Sequence, residues 1–512
     1  MSARWWLGAI VAGAMVVRLL AVGQLPLSGD EAYHWEWSRH LAGAYYDHPG
    51  MTAWCIWVAT RLLGDGVELA VRLPAVVGSA VAALFAWGFA RDVARTLRPG
   101  APDSRIDRAG LGAAALITFL PLPAAFGVYM STDAPLLPVC LGLGWAVFAA
   151  AQRGRLRAWL SVGALTGLAL ATKLLVLPLL GAAVAWFVCT PTGRAHLRRR
   201  GPWLALAAAV VAATPFWWWN ATHDWMTVRF NFDIRQRDQV ASLVDPLVFV
   251  GGQLGVLTPG IAIMGVVAAV RGVRAPVEGI RVMAWMCVLT LGAFFAMSVR
   301  RSIGVHWTMP AWGLAIVLVA SGVGLAEAWT KSTWARWAWR SSWGMAALTL
   351  LVAHAFAFTH EWWARQDIVG NQPAGVLRPL FGWRELGQLV EDQLAAVVVA
   401  QHAQGSERGV FVAADQYGVA AAVAFYTPSQ PVVHLWSNAR HGRNYEFWDD
   451  WAALAGKDVI LVSKRPLTTD ALAALQARCA AVEPVFEFPV AVNRFYVTIA
   501  RRFDGRRPFA PP

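Results

Sequence analysis

Charge is scarce in this sequence: 15% of its 512 residues are Asp, Glu, Lys or Arg, well under the roughly one quarter of an ordinary soluble domain. Water therefore cannot be the solvent for most of its surface. Acid is scarcer than base, with 31 Asp and Glu against 44 Lys and Arg, a formal net charge of +13 and a pI near 10.1. That balance would suit a nucleic acid, but the basic residues fall in short clusters between long apolar stretches, the pattern of cytoplasmic loops; no nucleic-acid partner is expected. Cysteine is also sparse. Cys55, Cys140, Cys189, Cys287 and Cys479 include no C-x-x-C pair, and most lie in apolar runs where a thiol behaves as a small hydrophobe. Neither a disulfide framework nor a cysteine zinc site is suggested. There is no internal repeat and no low-complexity segment.

What the chain has in excess is apolar surface: 57% hydrophobic residues and a mean hydropathy of +0.46. The bilayer must be its solvent. Its 29 tryptophans gather near the ends of apolar runs, as at Trp5, Trp6, Trp217, Trp218, Trp362 and Trp363, where an amphipathic ring suits the headgroup zone. Spans are expected at residues 5–25, 67–90, 109–127, 134–151, 156–172, 174–190, 202–219, 244–270, 281–298, 307–328 and 337–358, about eleven at the length a bilayer demands. The first follows Arg4 and is long enough to stay as a span rather than be removed as a signal peptide. Residues 52–64 suit a short interfacial or membrane helix.

Arginine fixes the orientation. Arg91, Arg95, Arg98, Arg105 and Arg108 share one loop, and Arg153, Arg155 and Arg157 another; Arg194, Arg198, Arg199 and Arg200, then Arg271 and Arg274, then Lys331, Arg336 and Arg340 follow in alternate loops. Those five loops are read as cytoplasmic. With the N-terminus also inside, residues beyond about 360 lie outside. There the pattern changes to short alternating runs at 410–413, 459–462 and 495–499, with helical stretches at 384–400 and 468–482. The expected architecture is an α-helical polytopic membrane part over 1–358, then a small α/β extracytoplasmic domain over 359–512, joined by a Pro- and Gly-containing linker at 370–383.

On this topology the chemistry lies outside. The first outer loop, 26–66, carries Ser28-Gly29-Asp30-Glu31 and Tyr45-Tyr46-Asp47-His48-Pro49; later outer turns carry Asp133, Lys173, then Arg229, Arg235 and Arg237, then Arg300, Arg301 and His306. An ionisable group near hydrocarbon persists mainly where it meets a partner, water or substrate. Acids that accept a hydroxyl proton beside bases that hold a phosphate are the parts needed for transfer from a phosphate-linked donor. Each motif also has a plainer reading. Ser28-x-x-Glu31 fits a capping box and Asp30 a helix dipole; Asp47-His48-Pro49 fits a turn. Asp133 fits an N-cap, Lys173 a snorkelling side chain, Arg300 and Arg301 generic lipid-phosphate contacts, and His306 an interfacial residue. Their common side is the signal.

The run Gly29-Asp30-Glu31-Ala32-Tyr33-His34-Trp35, then Tyr45-Tyr46-Asp47-His48-Pro49, then Val71-Arg72-Leu73-Pro74, resembles bacterial members of the dolichyl-phosphate-mannose protein mannosyltransferase superfamily, including the aminoarabinose transferases of lipid A. Thr132-Asp133-Ala134-Pro135, 167–173, 224–230 and His306-Trp307-Thr308-Met309-Pro310 follow in the order such proteins show, so the resemblance spans roughly 1–330. These proteins are multispanning glycosyltransferases of the GT-C class. The resemblance implies an inverting transferase on the outer face of the bacterial cytoplasmic membrane. Its donor would be a sugar on a polyprenyl phosphate such as undecaprenyl phosphate, and its acceptor a glycolipid, glycan or protein. The resemblance matches Asp30 to the first-loop acid usually given a catalytic role and Asp47 to a second acidic position there; Glu31 is a further candidate catalytic acid, and Tyr46, Asp133 and His306 are candidates for the substrate site. His48, Lys173, Arg229, Arg300 and Arg301 would contact donor phosphate, although His48 stands where the aminoarabinose transferases carry lysine and so lacks a fixed charge. Some relatives hold a divalent metal, Mg, Mn or Zn, for which Asp47 with His306 is the candidate pair. A transporter of lipid-linked sugars is the competing reading, but clear pseudo-symmetric halves and a strong midplane charge cluster are lacking.

Overall fold

The computed structural model describes residues 2–236, 242–323, 332–365, 380–437, 444–490 and 493–509. Among them, five helices are long and apolar enough to cross a membrane: Ala3–Val22, Glu68–Leu97, Asp133–Arg153, Glu278–Ser298 and Arg336–His360. Three further pairs pass the same test as bent units, so the chain is a multi-pass membrane protein with the helical architecture expected. Every apolar run singled out in the sequence forms helix, but not every run is one straight span. Residues 244–270 fold into Asp245–Leu257 and Pro259–Gly272 at 106°, because Thr258 takes φ +68° and Pro259 has no N–H to continue the ladder. Residues 202–219 bend by 55° between Arg200–Ala212 and Thr214–Thr222, where Pro215 stands at the start of the second helix. The run 307–328 is helical as Met309–Ala320 and stops at Gly322, φ +73°; its last residues, like Lys331, most of the 370–383 linker and Arg237, lie outside those described.

The two ends of the bundle differ in chemistry. At one end Asp92 pairs with Arg153, Arg91 with Asp107 at 2.8 Å and His196 with Glu278 at 3.2 Å. Arg98 donates there to the carbonyl of Ser321 at 2.9 Å. These are the basic loops of the sequence reading, drawn together. Helix Asp133–Arg153 carries Arg153 at this end and Asp133 at the other, about 30 Å apart for 21 residues at 1.5 Å each.

The opposite end is built by the first loop. Ser28 caps helix Gly29–Arg39, accepting from the Glu31 N–H while the Glu31 carboxylate accepts from the Ser28 N–H, the reciprocal box the sequence suggested. Helix Met51–Leu63 follows. Gly29–Arg39 is polar by composition, yet it is buried from residue 31 to residue 38, because the C-terminal part of the chain lies against it. Burial raises the Glu36 carboxyl to about 7 from 4.5, Arg39 offsetting only part. The folded form holds this proton more tightly than the unfolded chain, so the contribution to stability is full below pH 4.5 and is lost as pH rises to about 7. Glu36→Gln should therefore raise the melting temperature more at pH 8 than at pH 4.5. Equal shifts at both would contradict the assignment.

Among the described residues six strands, β1 (Val410–Ala414), β2 (Val433–Leu435), β3 (Asp458–Ser463), β4 (Cys479–Val482), β5 (Phe486–Val490) and β6 (Asn493–Phe503), form one sheet in the order β2-β1-β3-β6-β4, with β5 pairing β6. β1 runs parallel to both β2 and β3. The long β6 runs antiparallel to β3 along one edge; along the other it takes β5 and then β4. The alternating runs at 410–413, 459–462 and 495–499 are thus strands. The stretch 468–482 is only partly helical: helix Thr469–Arg478 gives way to β4. Helix Tyr417–Tyr426, almost wholly apolar, docks the sheet onto the first loop. At the contact Gly29 faces Gly418 so closely that a Cβ on Gly29 would lie 3.0 Å from the Gly418 Cα. Tyr426 Oη accepts from the Leu27 N–H at 2.6 Å, and Asn444 Oδ1 from the Tyr46 N–H at 2.8 Å.

Candidate functional site

Helix Gly29–Arg39, the 45–48 turn, residues 129–133, Lys173, residues 230–235, His306 and Tyr417 close around one cavity of about 320 Å³. Of the residues proposed from sequence, Asp30, Asp47, His48, Asp133, Lys173 and His306 line it. They come from segments as far apart as 276 positions in the chain, taking His306 against Asp30.

Asp30 stands in the first turn of its helix, where the partial positive charge of unpaired N–H groups favours a carboxylate. It is exposed to the cavity, and its Oδ1 accepts from the Tyr417 hydroxyl at 2.7 Å. Burial and the neighbouring Asp30 push the Tyr417 phenol far up, so it stays a donor. Lys173 does not snorkel. Its ammonium is buried and meets Asp133 Oδ2 at 2.6 Å, and His306 Nε2 approaches the same oxygen to 3.7 Å. Burial, reinforced by the Lys173 charge, lowers the His306 imidazole to about 4; His48 is pushed well below the usual range by burial and by Lys173. Both imidazoles are neutral near pH 7, so the fixed positive charge here belongs to Lys173 and Arg235. The Arg235 guanidinium lies over the Trp307 ring at 5.1 Å and is attracted by Asp47.

The structure withdraws other candidates from the cavity. Glu31 is fully buried, and its two oxygens accept from Arg72 Nε and Nη2 at 2.7 Å each, from the Ser28 N–H at 3.0 Å and from the Met130 N–H at 3.1 Å. With four donors on it, this carboxylate is a structural tie and not a proton acceptor. Arg72 also donates to the carbonyls of Val22, Leu25 and Pro26, so one ion pair fixes the whole entry to the first loop. Tyr46 is packed against Phe230, ring centroids 5.2 Å apart, behind the cavity wall. Arg229, Arg300 and Arg301 do not line it; Arg229 and Arg300 are exposed, and Arg301 lies over the Trp307 ring at 5.9 Å.

Arg235 and Tyr417 take places that sequence reasoning did not assign. Arg235 was visible as one outer-loop cation among several; Tyr417 stands in the tail run Ala414-Asp415-Gln416-Tyr417, which resembles the outer domains of such transferases, but no role for it was legible because it reaches Asp30 only through the docking of the sheet. A metal finds no donor set. Among the described residues, no three His, Cys, Asp or Glu gather, and an ammonium already holds the Asp133 carboxylate beside His306 while a guanidinium attends Asp47. Asp133 and Asp47 are thus already engaged by cations in this structure.

A second, apolar cavity of about 480 Å³ opens between Asp245–Leu257, Pro259–Gly272 and Glu278–Ser298, lined by residues such as Phe249, Leu254, Ile263, Leu291 and Phe295. Gln253 at its edge accepts from Thr308 at 2.7 Å and from Trp312 at 2.8 Å, tying the groove to the segment that carries His306.

Parts of the chain are similar to known proteins in sequence, and nearly all of it in fold. Residues 47–219 match the family described as dolichyl-phosphate-mannose-protein mannosyltransferase. Over 246 residues the chain is 33% identical to the lipid A galacturonosyltransferase RgtD of Rhizobium johnstonii; the match spans 48% of this chain and 49% of that protein, about half the length of each. In fold it is similar to crystal structures of ArnT from Cupriavidus metallidurans. The form bound to undecaprenyl phosphate gives a TM-score of 0.61 at 16% identity, over 97% of this chain and 98% of that one. The apo form gives 0.59 over the same shares. The chain therefore has a GT-C fold, and about half of it is similar in sequence to a lipid A galacturonosyltransferase.

Proposed function

We propose that this relative of the mannosyltransferases and of RgtD is an inverting glycosyltransferase that moves a sugar from a polyprenyl phosphate to lipid A or a similar envelope glycolipid. It works at the periplasmic face of the bacterial inner membrane. The observation that carries this reading is the single cavity that Asp30 shares with Lys173 and Arg235. On this proposal residues 1–358 form the transmembrane transferase part and 359–512 an extracytoplasmic unit that completes the site.

The reaction is a single displacement. The acceptor oxygen loses its proton to Asp30 and bonds to the anomeric carbon; the bond from that carbon to the phosphate oxygen breaks, its electron pair leaving with the lipid phosphate. Lys173 and Arg235 meet the charge that appears there. Asp133 and Asp47 hold those two cations, while neutral His48 and His306 are left as hydrogen-bonding groups. The apolar groove beside Gln253 receives the prenyl tail, since Gln253 ties it by hydrogen bonds to the segment bearing His306 and the groove offers hydrocarbon almost nothing polar. No divalent metal takes part in this scheme.

Arg235 supplies a charge-assisted contact of the kind that contributes about 1.5–3 kcal/mol. Arg235→Ala should accordingly raise the dissociation constant for undecaprenyl phosphate roughly tenfold to a hundredfold; unchanged affinity would remove Arg235 from the phosphate site. The function itself is tested in proteoliposomes loaded with a polyprenyl-phosphate sugar and lipid A. Mass spectrometry should find lipid A heavier by one sugar. Lipid-linked sugar crossing the bilayer with no such product would instead favour a transporter.

A further inference from the structure

The sheet has a point at which the chain turns in two directions. From β1 it passes through helix Tyr417–Tyr426 to β2 on one side; from β3, the parallel neighbour on the other side, it leaves through helix Thr469–Arg478 toward β4 at the far edge. Adjacent parallel strands whose connections diverge leave a crevice beyond their carboxyl ends, where open α/β sheets bind ligands. Residues 416–418 and 464–466 of the diverging segments line a cavity of about 710 Å³, in the size range of small-molecule sites. Lys464, Arg465 and Arg494 bring three cations to its wall, and among the residues lining it the only carboxylate is Asp30. The N-terminus of the ten-residue helix Tyr417–Tyr426 opens on the same space, adding partial positive charge. Lys464 is steadied over the Trp383 ring at 5.0 Å, and Arg494 by Glu487 at 3.0 Å.

Two residues line both this crevice and the 320 Å³ cavity: Asp30 and Tyr417, hydrogen-bonded to each other at 2.7 Å. The candidate base is thus the partition between a donor chamber and a second, cationic chamber. We propose that the crevice at the sheet's switch point is the acceptor subsite. A phosphate on the glycolipid head lies among Lys464, Arg465 and Arg494, and the acceptor hydroxyl takes the place of the Tyr417 hydroxyl on Asp30. Two of the three cations are arginines, whose planar forks match phosphate oxygens. Tyr417 is then a positioning residue: it holds Asp30 toward the partition until an acceptor displaces it. This assignment rests on the transferase reading above and adds to it where, and by what charge, the acceptor is held.

The test uses the whole protein in proteoliposomes with lipid A as the probe, before and after phosphatase treatment. In the Lys464→Ala/Arg465→Ala double variant the KM for intact lipid A should rise at least tenfold, with kcat and donor KM unchanged. Dephosphorylated lipid A should be a poor acceptor for the wild type and no poorer for the variant. Arg494→Ala, an exposed change, should shift the same KM in the same direction. In the wild type, inorganic pyrophosphate should compete with lipid A and not with the donor. An unchanged KM for intact lipid A in the variants, or an equal loss for both lipid A forms, would overturn the subsite. A wild type that transfers sugar neither to lipid A nor to water would instead overturn the transferase reading itself, so the two failures are distinguishable.

Discussion

Replacing Asp30 with Asn lowers the rate of sugar transfer about 10²- to 10⁴-fold, the range for loss of a general base, and leaves undecaprenyl phosphate binding intact. The substitution keeps the size of the side chain and a group able to accept from the Tyr417 hydroxyl, so the fold of the first loop should survive. What is lost is the oxygen that takes the acceptor's proton. Among the carboxylates that line the cavity, Asp133 is committed to the Lys173 ammonium at 2.6 Å and Asp47 attracts Arg235; Asp30 alone of the three also lines the second chamber. Steady-state rates with donor and lipid A, beside donor binding measured separately, check this. A variant that kept a rate within threefold of the wild type would remove Asp30 from the chemistry.

Glu31→Gln should fail in a different way. Glu31 neighbours Asp30 in sequence but is buried with Arg72, and removing the charge of one partner of a buried pair typically costs about 3–5 kcal/mol because the other is left uncompensated. Arg72→Met is expected to be as damaging, since the Val22, Leu25 and Pro26 carbonyls lose their donor as well. Both single variants should melt far below the wild type in detergent. The double variant Glu31→Gln/Arg72→Met should recover part of the loss, as apolar replacement of a whole pair often does. If Glu31→Gln melted like the wild type and lost only turnover, Glu31 would be a catalytic acid after all.

The contrast between these adjacent acids marks how far the sequence could be read. The capping box at Ser28 and Glu31 was legible because it is a local spacing rule. The first-loop motifs were legible as a cluster, and so was the sharing of one face by Asp133, Lys173 and His306, because the alternation of basic loops sorts the ends of the spans. Strands β1, β3 and β6 were visible in their alternating or apolar runs; β2, three residues long, and β5, an edge strand holding Pro489, were too short or too irregular to show. Division of labour within the cluster was not legible. Nothing local says that Arg72 takes Glu31, that Arg235 rather than Arg229, Arg300 or Arg301 reaches the cavity, or that residues 244–270 break at Thr258. Least legible was Tyr417, which meets Asp30 across 387 positions; such a contact exists only once the sheet has docked on the first loop.

The central claim is that Asp30 and the cations of Lys173 and Arg235 form one chamber for the donor's reacting end. It is tested most directly by determining the structure of the wild-type protein with undecaprenyl phosphate bound. The phosphate should lie within hydrogen-bonding distance of Lys173 Nζ and the Arg235 guanidinium, in the cavity that Asp30 lines, with the prenyl chain in the groove beside Gln253. A phosphate seated instead on Arg300 and Arg301, with the Asp30 chamber empty, would contradict it.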